Sequence, residues 1–536
     1  MLGRPTAGSA ALSARPRVGA TVPAVRTVTV SGAALGVEDV VAVAHGQARA
    51  ELAPTVEERM AASRAAVADA VARGAVVYGV TTGFGALADT YVGRDELAQA
   101  QLSLVRSHAA GVGEPLDDAT VRALLLLRAR TLAAGVSGVR VDLPQRLLDL
   151  LDAGLLPVVP EKGSVGASGD LAQLAHLALP LVGEGRLRRA GDSDPSGRPA
   201  AEVLAEHGLK PLTLAPKEGL ALLNGTEPMQ ALLAFSVTDA SLLVKIADLA
   251  CALSVEALLG TDRPYDERVQ RLRPHPGPLD SAANMRRLLA GSPLVASHRD
   301  SAHAVQDSYS LRCAPQVHGS ARDVLGYARR VVEIELGSIV DNPVILDGDV
   351  ATTGNFHGEP LAFAADMLAV AVAELGGVSE RRTDRMLDPA FSRGLPPFLA
   401  PHPGTNSGYM IAQYTAAALV SENKVLAHPA SVDSIPTSGN QEDHVSMGWT
   451  AVRKLRTVCA NVRSVLAVEL LVAAQGIDLR SSVAGPGPAT GAAYERLRAT
   501  VPTMPVDREV APQIAAVEGM LAELVGAAES AAGPLG

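Results

Sequence analysis

Long apolar segments rich in alanine, leucine and valine dominate the second half of the chain, and short polar clusters interrupt them. Alanine and leucine are strong helix formers, and these segments are longer than ordinary strands, so their pattern favours helices. Long helices separated by short connections predict a bundle with a shared core. The predicted helical segments are 229–260, 321–339, 361–375, 408–427 and 448–475.

The first half of the chain shows shorter patterns. Residues 27–30 alternate polar and β-branched apolar side chains, which predicts one short strand. Helical patterns follow from Val37 to about Arg73. Three glycines then interrupt the periodicity within residues 78–85, which predicts a loop.

Helices are predicted again from near Arg94 up to a glycine-rich segment at 163–170. The polar stretch at 186–199 is rich in proline and glycine and predicts an exposed connection. We therefore expect an N-terminal domain at 28–216, which carries the glycine-rich segment. A helical bundle with a C-terminal helical region follows at 217–536.

The composition supports a mainly helical protein and argues against two classes of partner. Hydrophobic residues make up 48% of the 536 and aromatic residues only 3%, so the apolar content lies in helix formers. The net charge of −10 argues against nucleic-acid binding, which needs a basic surface. The longest apolar stretch is interrupted by charged residues and predicts a buried helix rather than a membrane span: Asp239, Lys245, Asp248 and Glu256.

Cysteine and histidine spacing predicts neither disulfides nor a metal site. Cys251, Cys313 and Cys459 lie far apart, as expected in a reducing cytoplasm, where we expect this protein to reside. The twelve histidines form no HExxH motif and no paired ligand spacing, so we expect no metal. Residues 1–27 resemble a transit peptide in composition but lack its amphipathic pattern, and we expect a disordered extension.

The glycine-rich segment at 163–170 contains the candidate chemistry. Ala167, Ser168 and Gly169 are consecutive small residues in a backbone that glycine allows to bend sharply. In a tight bend, the Gly169 amide nitrogen could attack the Ala167 carbonyl carbon. Loss of water and dehydration of Ser168 would then leave an electrophilic ring with an exocyclic methylidene. From these residues alone, a plain loop that leads into a helix near Leu171 is the more common alternative.

Five polar clusters interrupt the apolar segments. Singly, each is typical of a cap, a turn or a satisfied buried polar group. Together, in a chain this apolar, they predict a common polar pocket. The clusters are 107–111, 224–227, 306–312, 354–359 and 440–447.

These motifs resemble those of the aromatic amino acid lyases that form a methylidene-imidazolone group, and most of all the histidine-specific members. The similarity runs from about residue 28 to at least residue 485. It rests on matches in the same order along the chain: YGVTTGFG at 78–85, SHAAG at 107–111, ASGDL at 167–171, LLNGT at 222–226, QDSYSLR at 306–312, DNP at 341–343, GNFH at 354–357, ASVDS at 430–434 and QEDHVSM at 441–447.

The resemblance implies a cofactor, a fold and an assembly. Ala167, Ser168 and Gly169 would cyclise autocatalytically into 4-methylidene-imidazole-5-one, with no external cofactor. The fold would be all-α, with an N-terminal ring-forming domain and a long central bundle of the fumarase/aspartase-like superfamily. The protein would act on a small amino acid, with no nucleic-acid or membrane partner. It would form a homotetramer whose sites take residues from more than one chain.

The resemblance also implies roles for the polar clusters. Tyr78 would be the general base for the β-proton, although a free tyrosine titrates near ~10 and needs cationic or dipolar neighbours to ionise. Arg312 would clamp the substrate carboxylate, which suits the geometry of guanidinium. Other side chains would contact the ring, the carboxylate or the amine: Asn224, Gln306, Tyr309 and Phe356. For Asn224 and Gln306, capping of a helix end is the structural alternative.

His108 and Glu442 bear on the choice of substrate. A carboxylate and a histidine can bind both nitrogens of an imidazole, so the resemblance implies deamination of L-histidine to trans-urocanate and ammonia. For Glu442, a salt bridge and the role of base are the alternatives. A tyrosine ammonia-lyase or tyrosine 2,3-aminomutase is the second hypothesis. An uncyclised scaffold of the argininosuccinate lyase and fumarase type is the third.

Two residues depart from the family pattern. Gln173 stands where proline is expected after the ring, and His318 stands where a small or apolar residue is usual. Both positions belong to segments that the resemblance places near the active site. We therefore expect them to affect ring maturation or the shape of the pocket.

Overall fold

The computed structural model describes residues 26–301 and 305–536, and in these ranges the protein is mainly helical. This confirms the all-α fold class. The α-helices are α1 Val37–Ala44, α2 Val56–Arg73, α3 Leu97–His108, α4 Asp118–Ala133, α5 Asp142–Asp152, α6 Leu171–Ala178, α7 Ala200–Glu206, α8 Glu218–Leu223, α9 Glu227–Ala257, α10 Glu267–Gln270, α11 Pro276–Leu288, α12 Pro293–Ala296, α13 Tyr309–Arg312, α14 Ala314–Glu335, α15 Glu359–Leu387, α16 Met410–Leu426, α17 Gly448–Asp478, α18 Pro488–Thr500 and α19 Ala511–Ala532.

Short strands accompany the helices, mostly in the first half of the chain. They form a parallel β1–β2 pair, antiparallel pairs β3–β5 and β8–β9, and a three-stranded antiparallel sheet in the order β4-β6-β7. Their bounds are β1 Arg26–Val30, β2 Ala48–Leu52, β3 Val112–Pro115, β4 Leu155–Pro157, β5 Pro160–Lys162, β6 Arg186–Arg189, β7 Arg198–Pro199, β8 Val344–Leu346 and β9 Asp349–Ala351.

Four long helices, α9, α14, α15 and α17, pack together at the centre of the bundle, and α9, α15 and α17 bury most of their side chains. Small residues allow the close approach of these helices: a Cβ on Gly376 of α15 would lie 3.1 Å from Val462 of α17. By length and composition α15 and α17 could cross a membrane, but 67% and 72% of their most apolar windows are buried. They are therefore core helices of the bundle.

The structure confirms the five long helices predicted from apolar segments, as α9, α14, α15, α16 and α17. Two helical predictions were wrong in part. β2 separates α1 from α2 between Val37 and Arg73, and β3, β4 and β5 interrupt the helices predicted between Arg94 and the glycine-rich segment. The residues of β2 have no strong strand pattern, and parallel pairing with β1 makes them extended. Residues 78–85 form the predicted loop, whereas the exposed stretch at 186–199 also contains β6 and β7.

The small strands and short helices of the first half position the glycine-rich segment, which connects β5 to α6. The division between 28–216 and 217–536 stays a prediction. Helix α4 from the first part and helix α9 from the second pack together in one continuous core. The predicted extension at 1–27 lies outside the described residues except for Arg26 and Thr27, which belong to β1.

Candidate active site

The segment between β5 and α6 makes a sharp turn that only glycine permits at its end. Gly169 has a φ of 75°, and a Cβ there would lie 2.0 Å from the carbonyl oxygen of Gly225. The same oxygen accepts the Asp170 backbone N–H at 2.9 Å. The turn is therefore pressed against the connection between α8 and α9.

Asp170 fastens this turn from within the core. Its buried carboxylate accepts the Ser164 hydroxyl at 2.6 Å and the Met229 backbone N–H at 3.1 Å. Burial raises the pKa of the Asp170 carboxyl to about 7, although the two donors favour its ionised form. Asp170 thus ties the beginning of the segment to the start of α9.

Two further segments hold the other side of the turn. The Gly166 carbonyl oxygen accepts the Ser446 hydroxyl at 2.8 Å and the Gly358 N–H at 3.2 Å. The Val165 carbonyl accepts the Met447 N–H at 2.8 Å. Segments that are distant in sequence thus fix the backbone on both sides of Ser168.

Asn224 contacts the turn directly. Its side-chain Nδ2 donates to the Ser168 carbonyl at 2.9 Å, and its buried Oδ1 makes no hydrogen bond within the described residues. Asn224 does lie at the end of α8, but its side chain binds the turn instead of capping the helix. Arg128 donates to the Asn224 carbonyl at 2.9 Å and pairs with Glu227 at 3.1 Å, both fully buried.

Arg128 was missed as a supporting residue by the sequence analysis. The available signal was the position of Arg128 directly after the four leucines at 124–127 of a predicted helix. An arginine in so apolar a segment is expected to be buried and therefore to need a charged partner. That partner, Glu227, was part of a predicted polar cluster. Sequence spacing could not join them, since the pair forms only where α4 crosses the start of α9.

Ser168 faces a cavity of about 610 Å³. A volume of this size suits a small ligand. Loop residues of the 78–85 segment, the end of α3, the α8 helix and the 437–442 hairpin all contribute to its wall. The polar side chains of the wall are Tyr78, Ser103, Ser107, His108, Ser168, Asn224, Ser438 and Glu442.

Glu442 is held in this cavity by two hydroxyl groups. Oε1 accepts the Ser168 hydroxyl at 2.8 Å, and Oε2 accepts the Thr437 hydroxyl at 2.6 Å. Thr437 and Glu442 are also paired through their backbones across a tight hairpin. Hydroxyl donors, rather than the arginine or lysine of the salt-bridge alternative, thus satisfy both carboxylate oxygens.

Tyr78 and His108 complete the polar wall. The Tyr78 phenol oxygen accepts the Gly85 backbone N–H at 3.3 Å. Nδ1 of His108 lies 2.9 Å from the Leu104 carbonyl, so it donates there and leaves Nε2 for the cavity. Burial lowers the pKa of His108, although the Leu104 carbonyl and Glu442 act to raise it.

Four of the predicted site residues lie outside this cavity in the single chain. Gln306 lines a separate surface pocket beside the Asp307–Arg393 ion pair. Tyr309 is 72% exposed and stacks on the Arg312 guanidinium at 4.7 Å. Arg312 lies outside the cavity with Tyr309, and the half-buried Phe356 is the fourth residue that does not line the cavity wall.

Gln173 and His318 occupy structural positions. Gln173 is buried in the first turn of α6 and donates to the Pro160 carbonyl at 3.3 Å, just before the glycine-rich turn. His318 is buried between α9 and α15, where Nδ1 lies 2.8 Å from Asp248 and Nε2 3.3 Å from Arg382. Neither side chain belongs to the cavity wall.

The residues present fit a ring formed from 167–169. Gly169 already holds a positive φ, Ser168 faces the cavity, and the Asn224 amide contacts the Ser168 carbonyl. The buried and unpartnered Oδ1 of Asn224 provides an acceptor beside the same atoms. The turn is therefore preorganised by the surrounding protein.

A helical bundle that presents such a turn to a ligand-sized cavity is typical of one class of enzyme, the lyases that cleave carbon–nitrogen bonds. The family described as aromatic amino acid lyase matches residues 35–499. The chain belongs to this family.

Its relatives cover nearly the whole chain. A histidine ammonia-lyase of Deinococcus radiodurans is 54% identical over 91% of this chain and 93% of its own. The crystal structure of histidine ammonia-lyase from Trypanosoma cruzi is 42% identical, with a TM-score of 0.86 and 95% of each chain covered. Tyrosine aminomutase from Streptomyces globisporus is 39% identical, with a TM-score of 0.87, covering 94% of this chain and 98% of its own.

Proposed function

We propose that this protein converts L-histidine to trans-urocanate and ammonia. The relatives named histidine ammonia-lyase support this proposal at 54% and 42% identity. The observation that carries it is the position of Glu442, whose carboxylate lies in the cavity 2.8 Å from the Ser168 hydroxyl. A carboxylate there is an acceptor for an imidazole N–H.

The binding role of Glu442 follows from its hydrogen bonds. Ring formation consumes the Ser168 hydroxyl, so Oε1 of Glu442 becomes free to accept a hydrogen bond from the substrate. Oε2 keeps the Thr437 hydroxyl and thus keeps the carboxylate oriented. His108 presents Nε2 to the same cavity as the second contact for the substrate ring.

The methylidene-imidazolone formed from Ala167, Ser168 and Gly169 supplies an electrophile toward the amino acid. No external cofactor is needed for it. The chain itself must then remove a weakly acidic β-proton, and the Tyr78 phenol oxygen is the proposed acceptor. The Gly85 N–H donates to that oxygen and holds it at the cavity wall, where a base is required. Glu442 is the alternative base.

We propose a homotetramer with shared active sites. Gln306, Tyr309, Arg312 and Phe356 lie outside the cavity of their own chain, so a neighbouring chain would supply them. Interior contacts hold the 309–312 segment: Arg382 donates to the Ser310 carbonyl at 3.2 Å. Arg312 would then bind the substrate carboxylate, and the others would surround the ring and the amine.

Several exposed apolar side chains support this assembly. On α15 they follow one face, and on the adjacent α16 they continue it. The five residues are Phe363, Met367, Val370, Ile411 and Tyr414. We also propose a cytoplasmic location, since Cys251, Cys313 and Cys459 are all unpaired.

Ultraviolet monitoring of purified protein with L-histidine, L-tyrosine and L-phenylalanine in parallel tests the reaction. We expect urocanate from histidine, and its complete loss in Ser168→Ala, whereas Ser320→Ala on the exposed face of α14 keeps full activity. The intact mass should lie below the sequence mass by two water molecules, a difference absent in Ser168→Ala. Coumarate, cinnamate or a β-amino acid as the main product would contradict the assignment to histidine.

Coexpression of two inactive variants tests the shared site. Ser168→Ala removes the ring, and Arg312→Ala removes the proposed carboxylate contact. In mixed assemblies some sites would combine an intact Ser168 from one chain with an intact Arg312 from another, so part of the activity should return. Sites built from a single chain would stay inactive in the mixture.

A further inference from the structure

Two loops that support the ring-forming turn bring three metal-ligating side chains together. His357 and Glu359 flank Gly358, and His444 precedes the 446–447 segment. Their ligand atoms all lie within 4.8 Å of one another. The two imidazole rings are parallel, with centroids 5.8 Å apart and an interplanar angle of 4°.

A second observation points to a ligand at this cluster. Oε2 of Glu359 is buried and makes no hydrogen bond within the described residues. A buried carboxylate oxygen without a donor costs free energy, which a bound cation would remove.

The hydrogen bonding of His357 also suits metal binding. Its Nε2 lies 3.2 Å from the His444 carbonyl oxygen, so the N–H donates there. That bond fixes the tautomer and leaves the other ring nitrogen without a proton. A ring held in this way by a backbone carbonyl is the usual arrangement of a ligating histidine.

We propose that His357, Glu359 and His444 bind one divalent transition-metal ion of the zinc class. Two imidazoles and one carboxylate favour zinc, cobalt or nickel over magnesium and calcium, which prefer sets of oxygen ligands. Three protein ligands leave a coordination position for water. No carbon–nitrogen bond cleavage is assigned to this ion.

The position of the site gives the ion a structural consequence. Gly358, between two ligands, and Ser446, two residues after the third, both donate to the Gly166 carbonyl. An ion that joins the two loops would fix both donors relative to each other. It would thus stabilise the support of the turn at 163–170 from outside the cavity.

Cobalt titration of the full-length protein without an affinity tag tests the site. The protein is first stripped with a chelator, and Co²⁺ binding is followed by visible d–d absorption and by calorimetry, with no histidine in the buffer. We expect one Co²⁺ per chain, displaced by Zn²⁺, and a rise in the melting temperature when Zn²⁺ is bound. The readout is metal binding, so its failure would not affect the proposed reaction.

Single substitutions locate the ion. His357→Gln, Glu359→Gln and His444→Gln should each weaken Co²⁺ binding at least ~10-fold, while His402→Gln at another exposed histidine should bind as the native protein does. His444 is exposed, so its substitution keeps the fold and decides the question even if another variant unfolds. No Co²⁺ binding by the native protein, or native affinity in His444→Gln, would overturn the proposal.

Discussion

At the scale of single residues, the most consequential contacts are the two hydroxyl hydrogen bonds of Glu442. Ser168 supplies one donor and is itself consumed if the ring forms, so Thr437 is the donor that remains. Thr437 does not line the cavity, and it acts through Glu442. We therefore regard Thr437 as a positioning residue for the substrate contact.

Thr437→Val tests this role. Valine keeps the shape of threonine but removes the 2.6 Å hydrogen bond to Oε2, which lets the carboxylate turn away from the substrate. We expect KM for L-histidine to rise about fivefold to tenfold, equivalent to about 1–1.4 kcal/mol, with a smaller change in kcat. Steady-state kinetics on urocanate formation measure both constants.

Thr437→Ser is the matched control because serine retains the hydroxyl. It should restore KM to within about twofold of the native value, given a net hydrogen-bond contribution near 1 kcal/mol. Equal KM values in the valine, serine and native proteins would show that Thr437 has only a backbone role in the hairpin.

At the scale of elements, a buried charged network joins the four central helices. The Asp248 carboxylate of α9 accepts hydrogen bonds from His318 and Arg322 of α14. The Arg382 guanidinium of α15 donates two hydrogen bonds to the Glu469 carboxylate of α17, one of them 2.8 Å long. Burial alone would raise the pKa of Asp248, but Arg322 and His318 hold it at about 2. His318 links the two halves of this network.

Replacing His318 should change stability and leave catalysis intact. His318→Leu removes an acceptor from the buried Arg382 and a donor from Asp248, and we expect a loss of about 2–4 kcal/mol in the free energy of unfolding. The denaturant midpoint should fall, while kcat below the unfolding transition stays native. Ser320→Ala, exposed on the same helix, is the control. A changed product or a changed intact mass would instead support a role in ring maturation.

His318 also predicts a pH dependence of stability. Burial lowers the pKa of His318 below its ordinary value near 6.5, although Asp248 acts to raise it, so the folded protein holds the neutral ring. Below pH 6.5 the unfolded chain binds a proton that the folded chain does not. The contribution of His318 to stability is therefore fully present above that pH and is lost as pH falls, by up to about 1.4 kcal/mol per pH unit for one histidine.

Urea denaturation between pH 5 and 8 measures this slope. His108 and His176 have pKa values lowered by burial as well and add loss of the same sign, whereas burial raises the pKa values of Asp170 and Glu335 to about 7 and these act in the opposite sense. The comparison is therefore with His318→Gln. The variant should show a shallower slope than the native protein. Parallel slopes would mean that His318 is protonated in the folded state.

The elements differ in how far the sequence could predict them. The long helices follow from their apolar residues, because helix formation and burial there favour the same conformation. β2 could not be predicted, since its extended form depends on pairing with β1. The glycines at 163–170 predicted a turn, but its conformation is held by hydrogen bonds with Gly225, Gly358 and Ser446 from distant segments.

At the scale of the whole molecule, the predicted site residues of a single chain lie in two separate places. Tyr78, His108, Ser168, Asn224 and Glu442 line the cavity. Four others lie elsewhere: Gln306, Tyr309, Arg312 and Phe356. An exposed apolar face on α15 and α16 accompanies this separation. Both features are expected if the chain functions only as an assembly.

Met367→Glu tests the link between assembly and activity. Met367 is 53% exposed between Phe363 and Val370, so a charge there costs little in the free chain but much in a buried interface. Light scattering should show a smaller species, and urocanate formation should fall at least ~100-fold. Ser320→Ala, exposed on α14 and away from this face, should keep both. A smaller species with full activity would rule out shared sites.

The sequence by itself determined the helical architecture and the family, and it located the candidate turn at 163–170, because apolar periodicity and contiguous motifs are local properties of the chain. Only the tertiary structure decided which polar residues meet. It placed Thr437 behind Glu442, buried His318 in a charged network, and joined His357 and Glu359 to His444. The physical reason is that such contacts depend on packing between segments far apart in the chain, which no local pattern specifies.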